Sequence, residues 1–116
     1  MSDAKIILEI FRAAEWEALV EHGFTLGAPI DVTDGYIHFS TPQQAPETAA
    51  KHFAGAEGLI LAACDPQAFG ADLKWEASRG GALFPHLYRR LILADILWHE
   101  PLPLAGDAHI FPSKAL

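Results

Sequence analysis

Two short stretches hold most of the side chains that could do chemistry. The first is DGYIHFST, residues 34–41. Read as a strand, it puts Tyr36, His38 and Ser40 on one face and Ile37 and Phe39 on the other, because side chains alternate along an extended chain. A row of phenol, imidazole and hydroxyl suits a wetted outer face or a ligand wall. As a wall, His38 supplies a donor or acceptor, Ser40 and Thr41 supply hydroxyls, and the N–H groups of the following turn can meet an anion or a ribose. Thr41, standing before Pro42, also reads as a helix N-cap. The second stretch is KWEASRGGALFPHLYRR, residues 74–90. Here Glu76 falls on the polar side of a strand, where a carboxylate can polarise a hydroxyl or steady a developing positive charge, or pair with a neighbouring cation. Trp75 and Tyr88 offer rings for stacking. The candidate site is therefore His38 and Glu76 as catalytic groups, with Tyr36, Ser40, Thr41, Trp75, Arg79, His86 and Tyr88 as ligand contacts.

Several reactive constellations are missing. The sequence has no HExxH, CxxC, GxSxG or phosphate-cradling GxxxxGK, and Gly80–Gly81 falls short of a dinucleotide fingerprint. The histidines at 22, 38, 52, 86, 99 and 109 share no metal-binding spacing, so no metal ligand is assigned from sequence, although folding could gather His38, Glu76 and His86 into a hydrolase site. The single Cys64 lies in the apolar run GLILAAC and reads as a buried, inert thiol, as in a reducing compartment.

Elements must position these residues. KIILEIF, residues 5–11, suits a strand, and AAEWEALVEHGF an amphipathic helix stopped by Gly23. TLGAPIDVTDG reads as a loop. A turn at 41–45 should precede a short helix ending near residue 53, with Pro46 confined to its first turn. GLILAAC and DLKWEAS read as strands, DPQAFG as a turn, GGALFPHLYRR as irregular, and LILADILWHEPL as containing another strand. The tail after Pro101 reads as a loosely held extension. The chain of 116 residues is one domain, with half its residues hydrophobic and no linker or repeat. A net charge of −7 opposes duplex nucleic acid as a partner. No apolar run reaches the roughly 20 residues of a membrane span, and the start lacks a signal-peptide pattern, so a cytoplasmic protein is expected.

The helix with Trp16 and Gly23, DGYIHFST, Glu47–Thr48, LKWEAS and GGALFPHLY together resemble a family of short bacterial proteins, domain of unknown function 952, over about residues 6–103. More distantly, the order strand, helix ending in glycine, loop, then a strand with histidine before a small hydroxyl residue is similar to RNA 2′-phosphotransferases and the ADP-ribosyltransferase fold. That resemblance implies an α+β domain with a split mixed β-sheet, short helices in its first half, and NAD or ADP-ribose in the cleft. His38 would contact a ribose, and Glu76 would orient a nucleophile or stabilise the centre left by nicotinamide. The chain departs from the phosphotransferases in having Arg12 but no His-Gly-Thr turn after the first strand, and no arginine-rich phosphate site. A non-catalytic protein-interaction domain is the other reading; the oligomeric state is open.

Overall fold

A computed structural model describes residues 4–115, the side chain of Arg79 excepted. Along the chain run β1 (Ile7–Phe11), α1 (Ala13–His22), β2 (Phe24–Thr25), α2 (Pro29–Asp34), β3 (Ile37–His38), α3 (Ala45–His52) and β4 (Leu59–Cys64). After a 3₁₀ segment come β5 (Leu73–Ala77), β6 (Leu83–Leu87), β7 (Leu91–Ile92), β8 (Ile96–Leu102), β9 (Leu104–Ala105) and β10 (Ala108–His109).

β1 and β4 read as unbroken apolar runs because both of their faces are covered. Ile7 and Phe11 join Ala62 and Cys64 in one core with Leu19, Ile37, Phe39, Leu87 and Leu91. Leu8, Ile10, Leu59, Leu61 and Ala63 join Ala45, Ala49 and Leu102 in a second core on the opposite face. Each of these leucines and isoleucines contributes about 1.5–3 kcal/mol by leaving water. Glu9 falls, by the two-residue period, on the same face as Ile7 and Phe11.

The two main sheets are three-stranded, β1-β4-β8 and β3-β6-β5. A backbone bridge between Leu8 and Ser40 ties them together, with N···O distances of 2.7 and 2.9 Å. The sheet is thus split as expected. It is not mixed: among the described residues every pairing is antiparallel. The α+β class holds, with its three α-helices before residue 53 and strands dominating the remainder of the chain.

Four local expectations are corrected. The segment 24–35 is not a loop throughout, for Pro29 opens α2, the Asp31 carboxylate accepts from the Ala28 N–H at 2.8 Å, and Gly35 ends the helix at φ 87°. GGALFPHLYRR is not irregular either: Leu83–Leu87 forms the central strand β6 despite Pro85, whose carbonyl accepts from the Phe39 N–H. The N-cap of α3 is Gln44, while Thr41 holds the preceding turn through its hydroxyl and carbonyl. The tail is fastened: His109 Nε2 lies 2.8 Å from the Ala56 carbonyl, and Phe111 and Ala115 pack into the second core. Among the described residues no helix is long and apolar enough to cross a membrane.

Candidate functional site

The register of the smaller sheet decides which side chains meet. His38 of β3 pairs with His86 of β6, which pairs with Lys74 of β5. Tyr36, His38, Ser40, Glu76, Phe84, His86 and Tyr88 therefore share one face, while Trp75, opposite Pro85, faces the core. The polar stripe of the sequence is a real face, and it closes one side of a cavity of about 580 Å³. β1, the start of α1, α2 and α3 supply the remaining walls, through residues including Glu9, Phe11, Arg12, Asp31, Thr48 and Phe53.

His38 is gripped from both ends. Its Nδ1 lies 2.5 Å from Asp31 Oδ1, and its Nε2 lies 3.1 Å from Asp34 Oδ2. Asp31 is only 4% exposed and also accepts from the His38 backbone N–H. A ring flanked by two carboxylates must donate from both nitrogens, which favours the imidazolium. The Asp31 hydrogen bond accordingly raises the His38 pKa, against a partial desolvation cost.

His86 is held differently. Its Nδ1 lies 2.8 Å from Glu76 Oε1, which also accepts the Tyr88 hydroxyl at 2.6 Å. These two donors, Tyr88 first, lower the Glu76 pKa, and the same bond pushes Tyr88 up to about 12. An ionised Glu76 can only accept, so His86 donates from Nδ1 and in the neutral ring carries its lone pair on Nε2. That atom is buried, in a residue 2% exposed, and has no hydrogen-bond partner. Tyr36 stacks on the His86 ring with centroids 4.1 Å apart and lies 4.6 Å from the His38 ring, fixing both.

The candidate residues fall into distinct groups. His38, Ser40 and His86 line the cavity, and Ser40 Oγ is hydrogen-bonded to Thr48 Oγ1 at 3.0 Å. Tyr36 and Tyr88 stand behind the histidines, and Glu76 reaches the cavity only through His86. Thr41 and Trp75 are not lining residues, and the Arg79 side chain lies outside what is described. Cys64 is buried and its thiol pKa is pushed up by desolvation, in keeping with an inert role. Both His38 nitrogens are engaged, so His38, Glu76 and His86 do not turn three lone pairs to one point, and no metal-ligand cluster occurs among the described residues.

Sequence reasoning missed Asp31 and Glu9. Asp31 lies in a segment that reads as a loop, where only the Pro29-x-Asp31 helix start marks it. Glu9 has a signal: a carboxylate in register with Ile7 and Phe11 inside an apolar run. Burial raises its pKa well above the ordinary value, and the Asp31 carboxylate adds to the rise.

Fold and site together define a small α+β pocket domain with two carboxylate-held histidines. The chain belongs to the family described as protein of unknown function DUF952, whose model matches residues 10–99. It is similar to protein CC0527 from Caulobacter crescentus, at 46% identity: its X-ray structure gives a TM-score of 0.86 over 90% of this chain and 91% of that one. The solution NMR structure of the same protein gives a TM-score of 0.82 over 90% of each chain. Among curated protein sequences none matches.

Proposed function

We propose that the cavity binds a small nucleotide-like ligand, NAD or ADP-ribose, with His86 Nε2 as the acceptor for a ligand hydroxyl or amide N–H. The observation that carries this is the orphaned Nε2: a buried polar atom without a partner costs about 1–3 kcal/mol, and a donor from a ligand would recover it. The volume, about 580 Å³, lies within the range of small-molecule sites. The apolar walls with a few convergent polar groups fit that class of site as well. His38, held as a cation, supplies a fixed positive centre toward which ligand oxygen atoms can turn. The split antiparallel sheet supports the likeness to the ADP-ribosyltransferase arrangement. Glycosyl transfer draws less support, because Glu76 acts on the cavity through His86: it is a positioning residue, and His86 would be the base that takes a proton from an acceptor hydroxyl.

A non-catalytic interaction surface is the second reading. It is favoured by Leu26, Ile30 and Val32, each more than half exposed on or next to α2.

Calorimetric titration of NAD and ADP-ribose separates the two. Binding to the wild type is expected, with His86→Gln weaker by about tenfold or more and still folded by circular dichroism. An absence of binding at millimolar nucleotide would overturn the nucleotide reading.

A further inference from the structure

Glu9 is the feature of the cavity that the histidine pair leaves unexplained. The other charged groups that share the cavity have partners. Asp31 holds His38, Glu15 accepts the Arg12 backbone N–H at 2.9 Å, and the Arg12 guanidinium lies 4.9 Å from the Phe53 ring centroid and 3.5 Å from the His52 carbonyl. The Glu9 carboxyl has a single hydrogen bond, from the adjacent Ile10 N–H at 3.1 Å, and no cation in ion-pair contact among the described residues. It stands in the wall of a space that phenylalanine rings also line, with the unpartnered His86 Nε2 in the same space. Aromatic faces attract cations, and Phe53 already carries the chain's own guanidinium.

We infer that the ligand presents a planar cationic head, an amidinium, guanidinium or aromatic ring cation, which seats on the Glu9 carboxylate against the phenylalanine wall. This rests on the cavity being a small-ligand site and names the chemistry of the end opposite any hydroxyl held by His86. The acidic groups sharing the space, Asp31 and Glu15, favour the protonated form of Glu9 in the empty protein, while Arg12 and His38 oppose it; His52 and His86 complete the titratable lining. A bound cation reverses the balance, so the Glu9 carboxyl loses its proton to solvent as the head enters.

The test is a calorimetric titration with benzamidinium and its neutral isostere benzamide, into the wild type and Glu9→Gln, in buffers of different ionisation enthalpy. The wild type is expected to prefer benzamidinium by about tenfold or more and to release a proton on binding it; Glu9→Gln should lose both effects and keep its affinity for benzamide. Equal affinity for the two probes, a preference that survives Glu9→Gln, or no benzamidinium binding at millimolar concentration overturns the inference. If any of these occurs while NAD or ADP-ribose still binds in a His86-dependent way, the cavity remains a ligand site and only the cationic head is lost.

Discussion

Asp31→Ala is expected to lower the stability of the fold by about 3–5 kcal/mol, the scale of removing one partner from a buried charged hydrogen-bond cluster. Its carboxylate satisfies three donors: the Ala28 N–H at 2.8 Å, the His38 N–H at 3.2 Å and the His38 ring at 2.5 Å. Truncation leaves the start of α2 uncapped and the imidazolium with only the exposed Asp34. The pH dependence should change with it. His38 has a folded-state pKa raised above the ordinary 6.5, so the folded protein holds a proton that the unfolded chain gives up. The stability from this pair is therefore fully present below about pH 6.5 and is lost as pH rises through the raised value. His38 is one-third exposed, so solvent screening keeps the ionic share modest and the buried hydrogen bonds carry most of the loss. Denaturant unfolding at pH 6 and pH 9 is expected to show a decline for the wild type and less of one for Asp31→Ala. A cost below about 1 kcal/mol, with the wild-type pH slope retained, would contradict this role.

Gly27→Ala is the second large effect, expected at about 2–5 kcal/mol. The backbone at Gly27 has φ +100°, a region that side chains rarely adopt, and a Cβ built there would lie 2.2 Å from Asp31 Oδ2 and 2.5 Å from Asp31 Cβ. The chain comes this close because the turn into α2 must bring the Ala28 N–H onto the Asp31 carboxylate. A methyl group at Gly27 therefore displaces Asp31, and the loss passes on to His38. Thermal unfolding should reveal the destabilisation, and NMR titration should show the His38 pKa falling back toward its ordinary value. Gly35→Ala, which meets no atom within 4 Å, bears only the cost of its own positive φ and leaves His38 in place. If Gly27→Ala keeps the raised His38 pKa, the close approach is not what positions Asp31.

The sequence is most readable where one physical rule dominates. Apolar runs locate β1 and β4, the alternation in LKWEA locates β5, and the periodicity before Gly23 locates α1. The face shared by Tyr36, His38 and Ser40 comes from the period of two even though β3 itself spans only Ile37–His38. The features that escape the sequence depend on distant partners. Pro85 argues against a central strand, yet β3 and β5 flank it and use its carbonyl. Glu76 and His86 both stand out in the sequence, but the 2.8 Å bond that makes one the support of the other arises only from the β5–β6 register. Trp75 reads as a stacking ring, and the same register turns it to the core.

The central claim is that His86 offers a bare Nε2 to the cavity, and the most direct measurement is nitrogen-15 NMR of the histidine rings, under mildly alkaline conditions, before and after adding ADP-ribose. The expected result is an Nδ1-protonated His86 ring whose Nε2 resonates as an unprotonated nitrogen in the free protein and shifts toward the hydrogen-bonded range with ligand. An Nε2-protonated ring, or an Nε2 signal unmoved at saturating ADP-ribose, would contradict it.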